Sequence, residues 1–157
     1  MGVKPAVRKV QSAIRQLGIE REVIELGVDA RTSQQAADAL GVGVGQIAKS
    51  LVFTVNSSPL LVIASGANRV DELKLEKLAG GKVRRANAET VKQATGYAIG
   101  GVPPLGHPTP LPVYIDPDLF QYELIYAAAG VPECVFPLTP AELVQGTGGR
   151  VADVKAE

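Results

Sequence analysis

A chain of 157 residues, 46% hydrophobic and 20% charged, is long enough for one domain that buries roughly two thirds of its unfolded surface. Its 16 basic and 16 acidic residues cancel, which excludes a global field for nucleic acid, so a polyanionic partner has to be met by a local patch. A single cysteine excludes an intramolecular disulfide, one cysteine with one histidine excludes a zinc site of the usual ligand set, and no apolar run reaches membrane-spanning length. A soluble, cytoplasmic protein is expected, with an aliphatic core because aromatics are 4% and Trp is absent.

In chain order, Val7, Val10, Ile14 and Leu17 recur at helical spacing and predict a helix over 5–17, with Pro5 in its first turn and Gly18 at its end. The alternation Glu-Val-Ile-Glu-Leu over 22–26 predicts a short strand. Thr32 and Gln35 form the pattern of a capping box, starting a helix that runs to about Leu40 and stops at Gly41. The run Gly41-Val42-Gly43-Val44-Gly45 follows a helix instead of a strand, so it reads as a helix stop and a turn, not as a dinucleotide fingerprint. Strands are predicted over 50–55 and 60–64, joined as a hairpin through the polar tip 56–59, which leaves Lys49 where a strand begins. Asp71 caps a third helix to Leu78 with Leu73, Leu75 and Leu78 as its apolar positions, 82–86 is a short strand, and Asn87 caps a helix through about Ala94.

The stretch 97–110, Tyr-Ala-Ile-Gly-Gly-Val-Pro-Pro-Leu-Gly-His-Pro-Thr-Pro, contains the only histidine of the chain. Its prolines forbid a helix, and a loop that is stiff at prolines and permissive at glycines can aim backbone amides at an anion or a developing oxyanion. The same composition also describes a tight turn across the top of a sheet. Beyond it, 111–115 is a strand, 116–119 a turn, and 123–128 with 133–138 a hairpin whose second strand holds Cys134 as a buried thiol. Thr139 caps a last helix to Val144, and the tail after Gly146 is polar and expected to be loose. Six or seven strands and four or five helices, interrupted by hairpins, predict one α+β (mixed α/β) domain over 1–157, without the regular alternation of a doubly wound sheet.

Three motifs in fixed order, Gln46-Ile47-Ala48-Lys49-Ser50-Leu51-Val52-Phe53, Ala64-Ser65-Gly66-Ala67-Asn68-Arg69-Val70-Asp71, and Thr95-Gly96-Tyr97-Ala98-Ile99-Gly100-Gly101-Val102-Pro103-Pro104-Leu105-Gly106-His107, resemble those of the YbaK/ProX family. These are free-standing relatives of the editing domain inserted in bacterial prolyl-tRNA synthetases, and the resemblance covers about 7–144. It implies a compact barrel-like mixed β-sheet flanked by helices. The implied activity is trans-editing: hydrolysis, without a cofactor, of the ester joining a wrong small amino acid such as Cys, Ala, Ser or Thr to the terminal adenosine of a tRNA. Lys49 matches the lysine that lies near the ester, and Gly100 and Gly101 match the loop whose amides approach the acyl carbonyl and the terminal ribose. Ser50, Val102, Pro103 and Asp116 are then expected at the substrate, while His107, which is not general to the family, reads either as a pocket residue or as a surface histidine fixed by its neighbouring prolines.

With no Ser-His-Asp pattern in the chain, the implied mechanism is substrate-assisted: the ribose hydroxyl orients water, Lys49 supplies positive charge and the loop supplies donors. The implied partners are the acceptor end of an aminoacylated tRNA and a synthetase, not a membrane or DNA. Arg69, Lys74, Lys77, Arg84 and Arg85 are the basic side chains available for phosphates, although such a run also describes a solvated surface. The chain departs from the member acting on cysteinyl-tRNA for proline: it has Pro103 where that protein has a serine before its proline, and it lacks polar residues around Ala127, Ala128 and Val135. A competing reading is a non-catalytic module that binds tRNA or an amino acid beside a synthetase.

Overall fold

The computed structural model describes residues 4–28 and 30–157. Five helices form where the caps dictate: α1 (Pro5–Gln16), α2 (Ser33–Leu40), α3 (Glu72–Ala79), α4 (Ala88–Thr95) and α5 (Pro140–Thr147). Capping boxes of Thr32 with Gln35 and of Thr139 with Glu142 start α2 and α5, while Asp71 and Asn87 accept from first-turn amides of α3 and α4; each such cap is worth about 1 kcal/mol. Helix α1 has no side-chain cap and is held by the burial of Val7, Val10 and Ile14, about 1.5–3 kcal/mol apiece. Leu73 is 71% exposed while Leu75 is fully buried, which corrects the expected apolar face of α3. Positions two apart point to nearly opposite sides of a helix, so the two leucines cannot share one.

The strands are β1 (Ile24–Glu25), β2 (Ile47–Val55), β3 (Ser58–Ser65), β4 (Val83–Arg85), β5 (Val113–Ile115), β6 (Ile125–Ala128), β7 (Cys134–Leu138) and β8 (Arg150–Val151). They form one mixed sheet in the order β1-β7-β6-β2-β3-β5-β8, with β4 also on β2. The frame is the β2–β3 hairpin, in register from Ala48↔Ser65 to Val55↔Ser58. Asn56 and Ser57 both take positive φ (49° and 67°), the geometry of a two-residue hairpin turn that matches strand twist. Pro59, expected in the tip, instead pairs with Thr54 inside β3. Strand β2 also starts before Ser50, because Ile47 and Ala48 pair in parallel with Tyr126 and Ala127 of β6. Lys49 is therefore the third residue of a nine-residue strand, not a residue at its threshold.

Helices cover both faces of the sheet. On one, Val7, Val10 and Ile14 of α1, Val91 of α4 and Leu143 of α5 join Ala48, Val52, Leu61, Ile63, Ile125 and Phe136. On the other, Leu75 of α3 packs with Phe53, Leu60, Val62, Ala64 and Val154. Val154 belongs to the tail expected to be loose, and the structure corrects that expectation. Arg150 and Val151 pair with Tyr114 and Ile115 of β5, Val70 bridges to Lys155, and Lys74 Nζ donates to Asp153 (2.9 Å) and to the Lys155 carbonyl (2.8 Å). Among the described residues no helix is long and apolar enough to cross a membrane.

Candidate active site

The site begins with an incomplete pairing. Strand β6 covers the edge of β2 only as far as Ala48, and β4 pairs with it from Phe53 onward. The edge left between them opens onto a cavity of about 240 Å³ whose wall includes four consecutive strand residues, Lys49, Ser50, Leu51 and Val52. Successive strand side chains point to opposite faces, so a cavity that touches all four lies at the strand's edge. The start of α2 (Thr32, Ser33), Arg85 at the end of β4 with Ala86 after it, Gly100 and Val102 of the proline-rich loop, and Cys134 and Val135 of β7 also line it.

Burial, with the neighbouring Arg85 cation next in size, holds the Lys49 ammonium below the ordinary lysine pKa; Asp116 acts in the opposite direction and Arg69 in the same one. Lys49 makes no side-chain hydrogen bond or ion pair among the described residues, so its charge faces the cavity uncompensated by contact. Arg85 lies over the Phe53 ring at 5.7 Å, a packing that suits a planar guanidinium. Arg84 pairs with Thr54 one position along and so points to the other face of β4. Only Arg85 of that couple reaches the cavity.

The proline-rich segment is a loop, and its two central glycines do different things. Gly100 sits at φ +95°, lines the cavity, and its N–H has no acceptor among the described residues. The Gly101 N–H donates to the Ala98 carbonyl (3.0 Å), and its carbonyl accepts from the Gly130 N–H (2.9 Å). A Cβ at Gly101 would meet the Gly130 carbonyl oxygen at 2.5 Å, so a side chain is excluded where the loop presses against the β6–β7 turn. Gly101 is thus a fastening point whose amide is already used, and Gly100 is the glycine that presents one.

Three other residues expected at the substrate do not line this cavity. Pro103 is buried behind the loop, and its carbonyl lies 2.8 Å from His107 Nε2; a carbonyl only accepts, so Nε2 carries the proton. His107 lines a separate cavity with Leu105, Gly146 and Thr147, and burial lowers its pKa against the opposing effect of the Pro103 bond. Asp116 is fully buried and accepts from the Ser65 N–H (3.1 Å), Asn68 Nδ2 (2.8 Å) and the Asp118 N–H (2.9 Å). Ser50 and Val102 do line the Lys49 cavity. Of the expected phosphate contacts, Arg69 is exposed and close enough to act on Lys49, Lys77 is exposed on α3, and Lys74 is committed to the C-terminal tail.

Reading the sequence residue by residue missed Arg31, Tyr126, Pro132 and the cavity-facing position of Cys134. The one signal available was the Thr32 capping box, which sets where α2 begins and so what stands at the rim.

The family model described as the aminoacyl-tRNA editing domain matches residues 28–145. Protein YwhH of Bacillus subtilis (strain 168) is 31% identical over 147 residues, 93% of this chain and 94% of that protein. The protein assigned as Cys-tRNA(Pro)/Cys-tRNA(Cys) deacylase EbsC of Enterococcus faecalis is 30% identical over 128 residues, covering 80% and 78%. A crystal structure assigned as a trans-editing enzyme for prolyl tRNA synthetase superposes with a TM-score of 0.95 at 46% identity, over 99% of this chain and 100% of that one. A mixed sheet with a lysine and a glycine loop facing one cavity, and likeness over nearly the whole length, lead to one conclusion: the chain belongs to the aminoacyl-tRNA editing domain family.

Proposed function

We propose that this protein is a trans-acting aminoacyl-tRNA deacylase that removes a small amino acid such as Cys, Ala, Ser or Thr from a mischarged tRNA. The observation that carries the reading is the unpaired, half-buried Lys49 ammonium at the open edge of β2, facing a cavity of about 240 Å³. Water attacks the acyl carbon, the acyl C–O bond breaks, and the amino acid leaves a free terminal ribose hydroxyl. The ester is already activated, so positive charge near the carbonyl and one or two fixed donors are sufficient catalysis, each donor worth about 3 kcal/mol in comparable acyl-transfer sites. Gly100 offers its N–H to the terminal ribose, Arg85 and Arg69 offer charge to the phosphates of the acceptor end, and the substrate's own hydroxyl orients the water.

The test is a deacylation panel of prolyl, alanyl, cysteinyl, seryl and threonyl esters on the tRNA for proline and on their own tRNAs, with Lys49→Ala beside the wild type. Hydrolysis of a subset of esters that collapses in Lys49→Ala supports the reading and names the substrate. Silence across the panel with tRNA still bound makes the protein a binding module.

A further inference from the structure

Ser50 carries a role that its side chain does not explain. The β2–β3 turn has two residues, so its closing pair, Val55 and Ser58, is a hydrogen-bonded one. Counting back by twos, Phe53, Leu51 and Lys49 direct their N–H and C=O groups to β3, whereas Thr54, Val52, Ser50 and Ala48 direct theirs to the opposite edge. Two bonds agree with this register: the Ile47 carbonyl accepts from Gly66 beyond the end of β3 (2.7 Å), and the Val52 carbonyl accepts from Ala86 on the β4 side (3.0 Å). On that outer edge Ala48 is paired by β6 and Thr54 by β4. Ser50, between them, faces no strand. It is half-buried while its Oγ is shut off from solvent and has no hydrogen-bond partner among the described residues. What Ser50 shows to the cavity is therefore main chain and Cβ.

A strand residue with both backbone groups unpaired at the wall of a cavity is a receptor for one more residue of backbone, because buried amides and carbonyls are almost always paired. An aminoacyl ester is such a residue, with an amino donor and a carbonyl acceptor joined through one Cα, as on the facing strand of a ladder. We infer that the main chain of Ser50 docks the aminoacyl group as a single missing rung of the sheet: its N–H donates to the ester carbonyl oxygen, and its C=O accepts from the α-ammonium. The inference rests on the deacylase reading above and deepens it. Recognition is directed at the α-amino ester common to all candidate substrates, and the rest of the cavity wall, not Ser50, meets the side chain. The N–H that meets the carbonyl in the ground state is the donor that holds the oxyanion when water adds, and the oxyanion's electron pair returns to the carbonyl as the ribose oxygen departs with a proton.

The test replaces the Lys49–Ser50 peptide bond of the full-length protein by an ester, introducing the α-hydroxy analogue of serine at position 50, which removes the Ser50 N–H and leaves the Lys49 carbonyl a weaker acceptor toward β3. With alanyl, cysteinyl, seryl and threonyl esters of the tRNA for proline as probes, kcat should fall about 100-fold on every ester the wild type hydrolyses, as for other single oxyanion donors, with KM changed less than threefold. The thermal midpoint should fall by no more than about 4 °C, the effect of the weakened Lys49 carbonyl alone, since the N–H has no partner to lose. A fall well beyond about 4 °C would show that the N–H is bonded within the fold and would overturn the inference, as would a kcat within threefold of wild type. The carbonyl half is tested by converting the same aminoacyl-tRNAs to α-hydroxyacyl-tRNAs with nitrous acid. Relative to spontaneous hydrolysis, KM should rise about tenfold, the loss expected for a charge-assisted bond, and an unchanged KM removes the carbonyl from the site. If the wild type hydrolyses none of the esters, the deacylase reading fails; if it hydrolyses them through Lys49 and the ester variant keeps pace, only the Ser50 inference fails.

Discussion

Two polar clusters lie one residue apart along the β2–β3 pair and obey opposite rules. Around Asp116 every group has a partner: its carboxylate takes the Ser65 and Asp118 amides and Asn68 Nδ2, and Asp118 takes Asn68 Nδ2 (2.8 Å) and Lys155 Nζ (3.1 Å). At the cavity, among the described residues, Lys49 makes no ion pair and the main chain of Ser50 on the uncovered strand edge faces no strand. A saturated network locks a chain crossing in place, whereas unsaturated groups in a wall are costly to the fold and are kept where a ligand completes them. Asp116 is thus a fastening of the fold and Lys49 the unpaired group at the cavity, although the family resemblance assigns both to the substrate site.

Breaking the contrast from the working side gives the largest effect. Lys49→Ala should lower deacylation kcat/KM at least 100-fold in single-turnover assays while leaving the thermal midpoint unchanged or raised, because a desolvated ammonium is removed. On the fastening side, Asp116→Ala strands the Ser65 amide and Asn68, each such loss costing about 1–3 kcal/mol, so urea unfolding should show a loss of roughly 3 kcal/mol. Gly101→Ala drives a Cβ into the Gly130 carbonyl; an overpacking cost of about 1–3 kcal/mol should appear in the same unfolding assay, together with reduced kcat as Gly100 shifts.

A subtler effect separates charge from contact. Lys49 holds its proton less tightly than an ordinary lysine, first through burial and then through Arg85. Activity that needs the ammonium must fall on the alkaline side at a lower pH than an ordinary lysine would give. Removing the Arg85 cation raises the Lys49 pKa, so Arg85→Gln should move that limb to higher pH once rates are divided by spontaneous ester hydrolysis. The smallest effect is expected at His107, whose Nε2 is occupied by Pro103 and which faces another cavity: His107→Ala should change kcat/KM less than threefold.

Local chemistry made much of this molecule legible in advance. The caps at Thr32, Asp71, Asn87 and Thr139, the hairpin ahead of Asn68, and the loop character of 97–110 all follow from interactions within a few residues. The motif resemblance named Lys49 and Gly100, and the structure brings both to one cavity with Ser50 and Val102. The same reasoning grouped Arg84 with Arg85, although adjacent strand residues face opposite ways. It also expected His107 and Asp116 beside Lys49, and neither lines that cavity, because position along the chain carries no information about which cavity a side chain enters.

What the sequence by itself determined, then, is most of the elements, the caps that start the helices, and the residue types that the resemblance assigns to ester hydrolysis. Only the tertiary structure decided where β2 is left uncovered. That gap depends on Ala48 meeting Ala127 while Phe53 meets Arg85, pairings between segments far apart in the chain whose registers are set by packing, not by any local propensity. The same holds for the C-terminal tail, ordered by β5 and Lys74, and for the Gly101 amide, spent on a neighbour in the loop while the adjacent Gly100 amide stays free.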